Sequence, residues 1–239
     1  ALRHYSQLGL KNYWWGKKRF AKHNRYLHSV GTSRIASCWH RALSDSIAYS
    51  SCPRRSAEQI ENENDLVMLS ALLHDVGHLP FSHLFEEIFA DLHWSLHAGK
   101  GTFSHVQNGA DKIKLLLESG SISIPGSSQY LHIPAALKDM GYTYKDVIAL
   151  TDGCTGVGYL DAMINSPIDA DKIDYIFRDS RELSLGVRLM DKSTWMAEFF
   201  SYQDVTQEGL IRLNGRSALR LLELLETRRA LYHDFYLAP

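Results

Sequence analysis

Apolar residues recur at helical spacing along most of the chain. Leu27, Val30, Ile35, Cys38/Trp39 and Leu43 follow that period, which predicts one long helix from Tyr26 to about Tyr49, ended by SSCPRRS. DLVMLSALLHD (65–75) is almost continuously apolar and predicts a buried helix whose last turn delivers His74 and Asp75. Beyond Pro80, FSHLFEEIFADL predicts an amphipathic helix, and HVQNGADKIKLLLE (105–118) another with Val106, Ile113 and Leu116/Leu117 inward. Further helices are predicted over 169–182, 191–201 and 215–236, the last carrying Leu219, Leu222/Glu223, Leu225/Glu226 and Arg229. SGSISIPGSS (119–128) and TDGCTGVG (151–158) read as loops, whereas VTQEGLIRLN reads as a β-hairpin turning at Glu208-Gly209. No internal repeat is visible. The pattern predicts an all-α bundle with one short hairpin near 203–213, and 239 residues at 45% hydrophobic content suffice for a core of one domain over 1–239.

Composition narrows what such a bundle does. A net charge of -1 and a pI near 6.9 argue against an extended nucleic-acid face, so any cationic site is local. Cys38, Cys52 and Cys154 are odd in number and widely spaced, which fits neither a disulfide framework nor a zinc ribbon and makes a reducing cytoplasm the default. No apolar run reaches membrane-spanning length. The chain opens at Ala1 rather than Met, inside what reads as a structured segment, so a processed or incomplete chain is expected.

Candidate chemistry gathers in three stretches: His28 in RYLHSVGT, His74 with Asp75 in HDVGHLPFSH, and Asp171 in DADKIDYIFRD. Imidazoles and carboxylates together suit a first-row transition metal and leave room for water and phosphate oxygens. His74 and His78 are four apart on one helical face, and Gly77 and Pro80 then turn the chain so that His83 can return toward them. Asp75 follows an apolar helix, where an unpaired carboxylate is costly and a metal would neutralise it. On the 169–182 helix Asp171, Tyr175 and Arg178 form one stripe with Lys172 and Asp179 beside it, and a solvated charged face is the plain alternative. For His4, His23, His40, His93, His97, His132 and His233 a packed, hydrogen-bonded core role is expected.

Taken in order, HYSQLGL (4–10), RYLHSVGT (25–32), HDVGHLPFSHLFEE (74–87), His105, DADKIDYIFRDS (169–180) and TRRALYHDFY (227–236) resemble the HD-domain superfamily, and within it the deoxynucleoside triphosphate triphosphohydrolases. The resemblance implies that His28, His74, Asp75 and Asp171 hold one divalent metal: manganese, iron, cobalt, nickel or zinc, with magnesium less suited to nitrogen ligands. It implies a catalytic group of His78, Glu86 and His105, with His83 on the phosphates and Arg25 and Lys172 gripping the triphosphate. Gln7, Tyr175, Asp179 and Tyr236 then read the deoxyribose and Arg228 lies against the nucleotide. A dNTP substrate, a regulatory nucleotide and a homo-oligomer are the partners it brings. The chain departs from the family in Val106, where Glu is common, in Glu86, where Asp is common, and in ending YLAP; the family's C-terminal lobe is not recognisable. Two other readings stay open: an HD phosphohydrolase of nucleoside monophosphates or signalling nucleotides, and a nucleotide-sensing module that has lost turnover.

Overall fold

In the computed structural model of the protein, residues 24–50, 54–78, 88, 104–126, 128–182 and 191–236 are described. Gln7, His83 and Glu86, the HYSQLGL motif, Pro80 and nearly all of the helix expected after it lie outside these residues. The described part is mostly helical, as its periodicity predicts. Helix α1 (Arg25–Ala42) is capped by the Asn24 side chain, which accepts from Leu27 N at 3.0 Å. The long helix expected to run to Tyr49 is in fact two, because α1 ends with Leu43 as its C-cap and α2 (Ser44–Ser50) begins with Asp45 in its first turn.

Helix α3 (Ala57–Leu73) starts earlier than its apolar run, at a reciprocal capping box between Ser56 and Gln59. Next come α4 (His105–Ser119), strands β1 (Ser121–Ser123) and β2 (Tyr130–His132), and helices α5 (Ile133–Asp139), α6 (Tyr144–Thr151) and α7 (Gly158–Ile164). The β1–β2 ladder, paired Ser121↔His132 to Ser123↔Tyr130, lies where a loop was expected. All six of its residues are exposed, so it has no buried face to impose an alternating pattern. Helix α8 (Ala170–Glu182) and α9 (Lys192–Ser201) follow, then the expected hairpin of β3 (Gln203–Val205) and β4 (Ile211–Leu213). Its turn places Gly209 at φ 76, which a β-carbon disfavours. Helix α10 (Gly215–Leu231) passes into a π-helical turn, Tyr232–Tyr236.

Helix α1 is the centre of the packing, lying chiefly on α3 and α8. Its buried stripe runs through Arg25, His28, Thr32, Ile35, Trp39 and Leu43, while Leu27, Val30 and Cys38 are exposed. Ile35, Trp39 and Leu43 are thus buried as their spacing suggests, whereas in the first turns of the helix the buried positions belong to the polar Arg25, His28 and Thr32. On α4 the same correction applies: Gly109, Ile113 and Leu117 face inward, whereas Val106 and Leu116 do not. Aromatic residues fill the far end of the core, with Trp39 stacked on Phe200 at 5.2 Å and Trp195 on Phe199 at 4.6 Å. Among the described residues no helix is long and apolar enough to cross a membrane.

Candidate metal centre

Three chain segments meet at one end of α1. The Asn24 cap puts His28 in the first turns of α1, fully buried. Helix α3 stops at Leu73, and the turn behind it is closed by Val76 N to Leu73 O at 3.0 Å and His78 N to Asp75 O at 3.2 Å. His78 thus stands past the helix end rather than on a continuing helical face. Buried Asp169 accepts from Lys172 N at 2.9 Å and so starts α8, with Asp171 in its first turn.

One ligand atom each from His28, His74 and Asp75 lies within 4.8 Å of the others, a group that can hold a metal ion. Asp171 Oδ1 joins them at 2.9 Å from His28 Nε2 and 3.7 Å from His74 Nε2. The donor set fits a divalent metal ion. His74 Nδ1 lies 2.7 Å from the Ala71 carbonyl, which only accepts, so that nitrogen carries the proton and Nε2 is left for a ligand. The Nε2 atoms of both His28 and His74 are buried and make no aligned hydrogen bond among the described residues, an arrangement a bound cation would satisfy.

The cluster is strongly coupled electrically. Burial alone would lower the His28 pKa, but its contacts with the Asp171 and Asp174 carboxylates and the charge of Asp75 prevail and raise it to about 10. Burial likewise opposes protonation of His74, and Asp75 and Asp171 outweigh it and move its pKa up. Against the same penalty for burial, the charges of His74, Arg25 and His28 hold the Asp75 carboxyl below its usual range, and His28 and His74 hold Asp171 well below. Without a cation the site is thus a proton-loaded mesh of imidazoles and carboxylates, in which a metal displaces protons.

Around this centre the rings of His78 and His105 stack at 4.4 Å and 12°, with His78 Nε2 3.4 Å from Asp75 Oδ1. Arg25 is buried and donates to Asp75 at 2.5 Å, and Lys172 Nζ reaches Asp169 at 2.5 Å, so both cations expected on phosphate sit on carboxylates. Farther along α8 the Tyr236 hydroxyl donates to buried Asp179, the Tyr175 and Tyr236 rings meet edge to face at 6.5 Å, and Arg228 lies over the Tyr232 ring at 5.4 Å. The structure therefore brings His28, His74, Asp75, Asp171, His78, His105 and Arg25 together, with Tyr175, Asp179, Arg228 and Tyr236 as a neighbouring group.

Sequence reasoning missed Asp174, fully buried and 2.9 Å from His28 Nδ1. Its signal was present, since 170, 173, 174 and 177 form the buried stripe of α8 and an acid there needs partners. Of the histidines given a packed core role, His40 fills it, buried 3.1 Å from Glu63, whereas His132 and His233 are exposed. His4, His23, His93 and His97 lie outside the described residues.

Comparison with known proteins agrees with this geometry. The HD domain family model matches residues 25–137. The chain is 31% identical over 219 residues to the uncharacterized protein YwfO of Bacillus subtilis, covering 92% of this chain and 42% of that protein. It is 26% identical over 232 residues to the deoxynucleoside triphosphate triphosphohydrolase SAMHD1 of Homo sapiens, covering 90% of this chain and 34% of that protein. An uncharacterized MG461 homolog of Mycoplasma pneumoniae is 26% identical over 242 residues, covering 98% of this chain and 48% of that protein. The chain thus spans about half, or less, of the length of these relatives. Residues 25–137, a little under half of the chain, thus match the HD domain family.

Proposed function

We propose that the protein hydrolyses deoxynucleoside triphosphates to a deoxynucleoside and inorganic triphosphate. The observation that carries this reading is the stacked His78–His105 pair set against Asp75, at the edge of the His28, His74, Asp75 and Asp171 cluster. Likeness to triphosphohydrolases over most of the chain supports the choice of substrate. His28, His74, Asp75 and Asp171 would hold the metal, which when bound supplies positive charge and Lewis acidity to phosphoryl oxygens.

The remaining chemistry belongs to the chain's own residues. A water oxygen adds to the α-phosphorus in line, the bond from that phosphorus to the 5′-oxygen breaks, and His105 gives its proton to the departing oxygen, while the proton lost by the water passes to solvent and His105 is reprotonated from solvent after the products leave. His78, stacked on His105 and anchored near Asp75, orients that acid, with Glu86 as its further partner by family likeness. Arg25 and Lys172 gather on the triphosphate, whose oxygens compete for them with Asp75 and Asp169. Tyr175, Asp179 and Tyr236 form the sugar wall together with Gln7, Arg228 lies against the nucleotide, and His83 contacts phosphate. A tyrosine ring against the sugar edge excludes a 2′-hydroxyl by its bulk. A homo-oligomer, a regulatory nucleotide and a cytoplasmic location belong to the same reading. Resolving the phosphate products released by metal-loaded protein from each nucleotide tests it.

A further inference from the structure

Asp174 is fully buried on α8, one turn beyond Asp171, and three donors share its carboxylate. His28 Nδ1 lies 2.9 Å from Oδ2, Arg178 donates from Nε at 2.9 Å and from Nη2 at 3.0 Å, and Lys192 Nζ donates to Oδ1 at 2.8 Å. Two fixed cations keep this carboxylate ionised, so it accepts only and the Nδ1 of His28 must donate. A neutral imidazole that donates from Nδ1 presents the lone pair of Nε2 on its opposite edge, which here faces His74, Asp75 and Asp171. There is no slack in this arrangement. A β-carbon on Gly31, in the turn after His28, would stand 2.7 Å from Cγ of Asp174, so α1 and α8 close on each other at that point. Lys192 opens α9, and three helices therefore converge on one carboxylate.

We propose that Asp174 is the positioning residue of the metal centre, fixing the ring and tautomer of His28 so that Nε2 faces the ion, while Arg178 and Lys192 fix Asp174. This rests on the metal-binding reading above. The two histidines of the centre are then held unequally: His74 is backed by the neutral carbonyl of Ala71, and His28 by an ionised carboxylate that Arg178 and Lys192 share. A charged acceptor behind Nδ1 makes His28 the stronger donor to a cation, and metal affinity should depend on it.

Zinc affinity measured by competition with a chromophoric chelator, together with 15N NMR of His28 in the zinc-loaded protein, tests the proposal. The wild-type protein is expected to bind zinc with His28 protonated on Nδ1 and ligated through Nε2. Asp174→Asn keeps the shape but not the charge, and should weaken zinc binding by about 10–100-fold. A folded Asp174→Asn protein that binds zinc as tightly as wild type overturns the role of Asp174 and leaves the metal centre standing. A wild-type protein that binds no zinc overturns the metal centre itself. Should the variant fail to fold, the wild-type spectrum decides, since a His28 ligated through Nδ1 or left unligated overturns the proposal.

Discussion

A β-carbon on Gly77 would overlap the carbonyl oxygen of His105 and stand 2.6 Å from the amide nitrogen of Gly109, so the turn carrying His78 and the helix carrying His105 meet through bare backbone. Asn108 Nδ2 donates to the Gly77 carbonyl at 2.5 Å and Lys112 Nζ to that of Val76 at 3.1 Å, clamping the turn to α4. Gly77→Ala should force these apart, costing about 1–3 kcal/mol of stability as other overpacked contacts do. Turnover should fall further than metal affinity, because the His78–His105 stack opens while His28 and Asp171 stay in place. Denaturant titration beside a metal titration checks this, and unchanged stability and turnover would contradict it.

Asp75 is the hub of the centre, 3.5 Å from His74 Nε2 and 3.8 Å from His28 Nε2. Asp75→Ala should abolish metal binding and hydrolysis together, since it removes one of only two charged donors in the set. Elemental analysis of the purified variant reads the outcome. Stoichiometric metal in it would take Asp75 out of the ligand set.

How far these relationships could be read from the sequence differs by residue. His28, His74, Asp75 and Asp171 were legible because each sits in a short motif at a helix end or first turn, where residue type and position coincide. The face that His28 occupies was not, since the first turns of α1 bury the polar Arg25, His28 and Thr32 and leave the apolar Leu27 and Val30 exposed. Asp174 was legible only as an acid on a buried stripe with Arg178 one turn on, because its other partners, His28 and Lys192, come from two other helices and no local period encodes them. Hairpin β3–β4 was legible from its Gly209 turn, and β1–β2 was not, having no buried face.

His105→Ala should separate chemistry from binding. Metal and nucleotide affinity are expected to persist while turnover drops by roughly two to four orders of magnitude, the range for losing a positioned acid. Single-turnover rates beside nucleotide titration measure both quantities. An undiminished rate would make His78 the proton donor, and the stacked pair would have its roles exchanged.

Stability of the metal-free protein should depend on pH in a defined sense. The His28 pKa rises from an ordinary 6.5 to about 10, so the folded chain binds that proton more tightly than the unfolded chain. This contribution is complete below pH 6.5 and is lost as pH rises through 10. His74 moves the same way, whereas Asp75, Asp171 and Asp174 move down, and their contribution disappears as pH falls below the ordinary 3.8. Thermal midpoints of metal-free protein should therefore decline from neutral pH toward 10. Saturating metal requires the Nε2 nitrogens unprotonated and should remove that decline. A flat alkaline profile without metal would contradict the coupling.

Tyr175 is expected to carry the preference for a deoxyribose. Burial raises its pKa, so the hydroxyl stays neutral, and its ring meets that of Tyr236 beside Asp179. Tyr175→Ala should narrow the preference for dNTPs over NTPs while weakening both, because relieving a clash helps only the ribonucleotide. Steady-state kinetics on matched pairs give the sign. A variant that loses both substrates in equal proportion would leave Tyr175 without this role.

The most direct measurement is to incubate metal-reconstituted protein with each dNTP, the matching NTPs and the nucleoside monophosphates, and to resolve triphosphate, pyrophosphate and phosphate among the products. Deoxynucleoside and inorganic triphosphate in equal amounts, from dNTPs in preference to NTPs, is the expected result. Phosphate released from monophosphates, or metal-loaded protein that binds dNTPs and releases no triphosphate, would contradict it.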